Sequence, residues 1–142
     1  MIRIIKIKNR IKNMTTKKIN LEIHRATKEH IAGIIRLNIK IYGYDDAFTE
    51  KMLIAHINSF PEGQFVALYN DEIVGHCGTF IISEEFATMP HSWDEITGNG
   101  YISRHNPSGD CLYGMEVCVD QSFRGLRIGQ RLYEHEKNSA KI

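Results

Sequence analysis

One passage near the C-terminal end limits what this chain can fold into more than any other. Cys111-Leu112-Tyr113-Gly114-Met115-Glu116-Val117-Cys118-Val119 is an apolar run with a single charge, Asp120 to Gly129 is rich in Gly and Arg, and Gln130-Arg131-Leu132-Tyr133-Glu134 has the composition of a helix start. The first part reads as a strand, the second as a turn and the third as the helix that follows it. In such a turn the backbone N–H groups at the helix start point at whatever occupies it, which favours phosphate. Within Arg124-Gly125-Leu126-Arg127-Ile128-Gly129 the glycines allow positive φ and close approach of the backbone, while Arg124 and Arg127 add charge for a diphosphate or a ribose phosphate. Taken alone, a Gly-x-x-x-Gly turn with two arginines also serves as an ordinary solvated helix start.

Upstream, Leu21-Glu22-Ile23-His24-Arg25-Ala26-Thr27 alternates apolar and polar residues and ends on a capping Thr, so it predicts a strand running into a helix over 28–42. Gly43 supplies the stop. Thr49 predicts the N-cap of a second helix reaching about Ser59, before Pro61 and Gly63. Residues 64–69 and 73–82 read as strands joined at Asn70-Asp71, an antiparallel hairpin. From Glu84 to Asp110 no period is sustained, and a long functional loop is expected there. The predicted order is β-α-α-β-β-β-α, one domain without repeats.

The charge is divided unevenly. Residues 1–20 carry seven Lys/Arg and no acid, whereas 21–142 carry eleven Lys/Arg against seventeen Asp/Glu. We read 1–20 as a basic, disordered arm, with Met14 as an alternative start, and 21–142 as the domain; no nucleic-acid or membrane partner is expected. The longest apolar stretches fall well short of the roughly 20 residues that span a bilayer. Cys77, Cys111 and Cys118 are odd in number and lack metal-site spacing, so no metal is expected, and a reducing cytoplasmic setting fits.

The passage Met115 to Tyr133 resembles the acetyl-CoA signature of the GNAT superfamily, in which a hydrophobic strand leads into Arg/Gln-x-x-Gly-x-Gly/Ala. The preceding element order is similar to that family's first half. Trp93-Asp94-Glu95-Ile96-Thr97-Gly98 together with Gly109 to Val117 more specifically resembles the GNAT domain that precedes a carbon–nitrogen hydrolase in some bacterial two-domain proteins; the resemblance covers roughly 21–135. It implies an α/β (α+β) fold with a mixed, mostly antiparallel sheet and flanking helices. It also implies acetyl-CoA or a related acyl-CoA as co-substrate and acyl transfer to a small-molecule or peptide amine. The backbone of Val117, Cys118 and Val119 would pair with the pantetheine amides. The amides of Gly125, Leu126, Arg127, Ile128, Gly129 and Gln130, with Arg124 beside them, would hold the pyrophosphate. One departure stands out, since Arg127 replaces the family's middle glycine.

Acyl transfer to an amine needs a proton acceptor, and Glu116, in an otherwise apolar strand beside the pantetheine position, is the candidate; burial is expected to raise its pKa. The same residue also reads as a buried structural partner of an arginine. Tyr113, Glu84 and Glu85 are weaker candidates, and Trp93 and Tyr101 are candidates for an acceptor pocket. His76 and Cys77, as consecutive strand residues, face opposite ways and cannot form a nucleophile pair. Against the family pattern the chain is expected to lack the C-terminal part of the domain, because 135–142 loses the periodicity of a packed helix. On that reading activity depends on pairing with a missing segment or another chain, and the alternative is a non-catalytic CoA-binding or interaction remnant.

Overall fold

The computed structural model describes residues 20–140. The basic arm and the alternative start at Met14 lie outside the described residues. Strand β1 (Leu21–Arg25) leads through a 3-10 turn, Lys28–His30, into helix α1 (Ile31–Tyr42), so the expected single helix over 28–42 begins as a tighter turn. Gly43 ends α1 at φ 87°, and its N–H donates to the Ile39 carbonyl. Helix α2 (Glu50–Ser59) starts where Thr49 Oγ1 accepts the Met52 N–H at 3.3 Å. Strands β2 (Gln64–Tyr69) and β3 (Glu72–Ile82) are joined at Asn70 and Asp71, both with positive φ (48° and 67°), the left-handed pair that matches the twist of a tight hairpin.

The segment expected to be a structureless loop contains two short helices, α3 (Glu84–Thr88) and α4 (Trp93–Thr97). Each is capped by a serine: Ser83 Oγ accepts the Phe86 N–H, and Ser92 Oγ accepts the Glu95 N–H while donating to the Glu95 carboxylate. The Ser92-Trp93-Asp94-Glu95 spacing is that of a capping box, a signal present in the sequence. Strand β4 (Cys111–Val119) and helix α5 (Ile128–Ala140) complete the described chain. Helix α5 therefore runs on through residues whose periodicity had suggested no packed helix, and Glu136 near its end is buried.

The four strands form one antiparallel sheet in the order β1-β2-β3-β4. Two register shifts break its alternation. Ala67 pairs with Gly75 and Leu68 with Ile73, which leaves Val74 as an extra residue in β3. Gly78 pairs with Glu116 and Thr79 with Gly114, so Met115 is the extra residue in β4. Helices α1 and α2 cover one face around Ile34, Leu53, Val66, Phe80, Ile96 and Met115, and α5 covers the other around Phe65, Ala67, Val74, Cys77, Ile128 and Leu132. Among the described residues no helix is long and apolar enough to cross a membrane.

Candidate functional site

The extra residue at Met115 decides where Glu116 points. Tyr113 and Met115 pack on the α1–α2 side of the sheet, and strict alternation would send Glu116 to the opposite side. The bulge cancels one step of that alternation. Glu116 Oε1 therefore meets His76 Nδ1 of β3 at 2.8 Å, Asn38 Nδ2 of α1 at 3.3 Å and the Cys118 thiol at 3.3 Å. The His76 side chain is 1% exposed and that of Glu116 9%. Asn38 is held in turn by its carbonyl, which accepts the Phe48 N–H at 3.1 Å.

Burial pushes the Glu116 carboxyl up, but the hydrogen bond and charge of His76, with the donors Cys118 and Asn38, pull harder, and the carboxyl lies below its ordinary value. This corrects the expected upward shift, which counted burial and not the donors. Burial together with the neighbouring Glu116 carboxylate raises both the Cys118 thiol and the Tyr42 phenol, so each keeps its proton near neutrality. The structural partner of Glu116 is a histidine, not an arginine.

Glu116 opens into a cavity of about 630 Å³ bounded by the chain after α1, by Met52 of α2, by α4 and by the β4 bulge. Tyr42, Phe48 and Trp93 form aromatic walls. The lining holds the carboxylates of Asp45, Asp46, Asp94 and Glu116 and, among the described residues, no lysine or arginine. Trp93 also fixes the bulge, its indole N–H donating to the Met115 carbonyl at 3.3 Å. Of the two aromatics expected at an acceptor pocket, Trp93 lines this cavity and Tyr101 does not. Tyr113 packs on Phe80 and touches His91, and Glu84 and Glu85 lie on exposed α3, all apart from the cavity.

The second part of the site follows β4. Within the described residues β4 pairs with β3 alone, so the other edge of Val117, Cys118 and Val119 keeps its backbone groups free, and Val117 is 42% exposed. Cys118 turns its side chain into the cluster around Glu116, while its backbone belongs to that edge. Asp120 then starts a 3-10 turn, Gln121–Phe123, accepting the Ser122 N–H and a Lys40 hydrogen bond at 2.7 Å, which ties α1 to the turn. The Lys40 hydrogen bond and the Ser122 amide hold the Asp120 carboxyl below its ordinary value.

Beyond it Arg124, Gly125 and Arg127 are exposed, Leu126 is partly packed, and Ile128 is buried against Gly75 of β3. Gly125 has φ 97° and Arg127 φ 60°. The left-handed conformation thus falls on Gly125 and Arg127, whereas Gly129, expected to supply positive φ, is the second residue of α5, with Gln130 after it. The first helical bond runs from Arg131 N to Arg127 O at 3.0 Å, so the amides of Ile128, Gly129 and Gln130 precede it and face out of the helix end.

His76, Asn38 and Tyr42 were missed in the sequence as site residues. Asn38 and Tyr42 are four apart on α1, and Asn38 lies four residues from buried Ile34 and seven from buried Ile31, so a polar residue on the buried stripe was a readable signal. For His76 there was none, because its role depends on the pairing of β3 with β4. His76 and Cys77 do face opposite sides, His76 towards Glu116 and Cys77 towards Glu136 of α5.

Comparison with known proteins bears on the fold and the family. The sequence model of the Acetyltransferase (GNAT) family matches residues 31–141. The chain is 38% identical over 119 residues to the probable hydrolase YhcX of Bacillus subtilis (strain 168), covering 84% of this chain and 23% of that protein. It is 38% identical over 85 residues to the uncharacterized N-acetyltransferase YkwB of the same organism, covering 60% of this chain and 38% of that one. Among solved structures, the GphF GNAT-like decarboxylase in complex with isobutyryl-CoA superposes with a TM-score of 0.73 at 22% identity, over 85% of this chain and 60% of that one. The chain thus spans less than half the length of either curated relative. With the strand, bulge, turn and helix in place, and a family match over most of its length, the chain belongs to the acetyltransferase (GNAT) family.

Proposed function

We propose that this domain transfers an acyl group from acyl-CoA, acetyl-CoA in the first instance, to a positively charged amine. The observation that carries the reading is the junction at the β4 bulge. There a carboxylate facing an acid-lined cavity lies one residue from a free strand edge, and that edge leads to the open amides of a helix N-terminus. The diphosphate would sit on the amides of Gly125 and of Ile128 to Gln130, and the pantetheine amides would extend β4 at Val117 to Val119. The acceptor would enter past Asp45, Asp46 and Asp94, whose charges suit an ammonium and whose aromatic neighbours favour a cation.

In the reaction the bound ammonium first gives one proton to solvent, the neutral nitrogen then bonds to the acyl carbon, the carbon–sulfur bond breaks, the adduct nitrogen loses a second proton and the CoA thiolate takes one up. A carboxylate held below its ordinary pKa is a weak base towards a free ammonium. It suffices once the N–C bond has formed, because the nitrogen of the tetrahedral adduct is then far more acidic, and the bonded His76 can share the charge.

The test is a titration of the purified chain with acetyl-CoA and CoA, followed by thiol release with a panel of mono- and polyamines. Glu116→Gln should leave acetyl-CoA affinity intact and lower turnover about 10²–10⁴-fold, the usual contribution of a positioned acid–base group. Gly129→Val should weaken CoA binding while leaving thermal stability nearly unchanged, since it crowds the amides that meet the phosphates. Binding without thiol release from any amine would instead favour a non-catalytic CoA-binding module, and no binding would remove the reading altogether.

A further inference from the structure

The cluster around Glu116 has a property that acyl transfer does not require. His76 Nδ1, a Glu116 carboxylate oxygen and Cys118 Sγ come from two neighbouring strands, and the three atoms all lie within 4.8 Å of one another. An imidazole nitrogen, a carboxylate oxygen and a thiolate sulfur are the three donor types that bind zinc. Around a tetrahedral zinc with bonds of about 2.0–2.3 Å, neighbouring ligand atoms lie about 3.3–3.7 Å apart. Here the oxygen is 2.8 Å from the imidazole nitrogen and 3.3 Å from the sulfur. Only the first of these contacts has to open, by about half an ångström, to reach the separation that geometry gives.

We propose that His76, Glu116 and Cys118 form a binding site for a soft divalent cation of the zinc class, with a fourth position left for water or another small ligand. Charge supports it. A thiolate and a carboxylate against one dication and a neutral imidazole give an electrically neutral centre, the arrangement that a buried location tolerates. The surroundings support it as well. Asn38 Nδ2 points at both the carboxylate oxygen and the sulfur, at 3.3 and 3.6 Å, and its own carbonyl is pinned by the Phe48 amide. An amide donating to a metal-bound sulfur and oxygen is the kind of outer partner that orients ligands. Cys118 sits on β4 two residues from Glu116, so the short spacing comes from the strand and its register with β3 rather than from a flexible loop.

A bound cation would occupy the carboxylate that accepts the proton in acyl transfer, so the metal-bound state is one in which transfer is blocked. The site is tested with metal alone, without CoA or amine, so that its failure is distinguishable from failure of the acyltransferase reading. Titration of the purified full chain with Co²⁺ should produce a thiolate-to-cobalt charge-transfer band and the visible bands of tetrahedral cobalt, saturating at one equivalent. Zn²⁺ should bleach both. Cys118→Ser should abolish the charge-transfer band, whereas Cys77→Ser and Cys111→Ser should retain it. Asn38→Ala should weaken zinc about 10–100-fold in competition with a chromophoric chelator. Circular dichroism of each variant guards against loss of fold. A band that survives in folded Cys118→Ser, or a folded wild-type chain that gives none, overturns the proposal.

Discussion

The two faces of the sheet are built on different terms. The α5 side is mainly apolar, with one buried polar contact between Cys77 and Glu136: Phe65, Ala67, Val74, Ile128 and Leu132 interlock, and Gly75 lets α5 approach so closely that a Cβ there would lie 2.9 Å from Ile128. The α1–α2 side buries Asn38, His56, His76 and Cys118 among its aromatics and opens at Glu116 into the cavity. The first face is mainly apolar packing, and the second holds the cavity and the residues of the proposed site. They meet in β4, where the bulge turns Glu116 to one side while Val117 remains half-exposed at the free edge. The polar face is held by directed contacts, Glu116 to His76 and Asn38 and His56 to the Gly100 carbonyl, whereas the other face rests mainly on shape.

The largest effect should come from breaking the apolar face. Leu132→Ala, at a fully buried position, should cost about 2–5 kcal/mol in urea unfolding, the range for an unfilled core cavity. If the faces are separable, the folded variant should retain its cobalt band, because His76, Glu116 and Cys118 lie on the other side.

The polar face should fail in acid. Burial lowers the His56 pKa to about 4, and its Nε2–H donates to the Gly100 carbonyl at 2.6 Å. Below its ordinary value of 6.5 the unfolded chain takes up the proton first, so stability is fully present above about pH 6.5 and falls as the pH drops towards 4. At 1.36 kcal/mol per pH unit the loss approaches about 3 kcal/mol. Denaturant midpoints across that window should fall more steeply for the wild type than for His56→Gln.

The smallest effect concerns the turn that joins the faces. Arg127 holds φ 60°, a conformation costing a side-chain-bearing residue about 1–2 kcal/mol, while glycine costs about 0.5–1 kcal/mol in unfolded-chain entropy. Arg127→Gly should therefore raise stability by about 0.5–1 kcal/mol and keep the amide that meets a phosphate. A loss of stability would mean that the Arg127 side chain makes a contact worth more than the strain.

Much of the architecture was legible. The strands at 21–25, 64–69 and 111–119, the Gly43 stop, the Thr49 cap and the Asn70-Asp71 turn follow from local periodicity and turn chemistry. Helices α3 and α4 were overlooked although Ser83 and Ser92 announced them, because five-residue helices carry no period to detect. The burial of Glu136 in α5 is invisible to local periodicity for another reason: it faces the Cys77 thiol, a partner 59 residues away. Burial raises the Glu136 carboxyl, against the lowering effect of that thiol.

The sequence by itself determined the order of elements, the strand–turn–helix passage and the presence of a carboxylate within it, since these depend on residues a few positions apart. Tertiary structure decided what that carboxylate does. Glu116 reaches His76 and Asn38 through the β3–β4 register, the extra residue at Met115 and the docking of α1, contacts that span 40 and 78 residues of chain. One inserted residue reverses which side of a strand faces the core, and its position is set by how two strands pair, not by the composition of either.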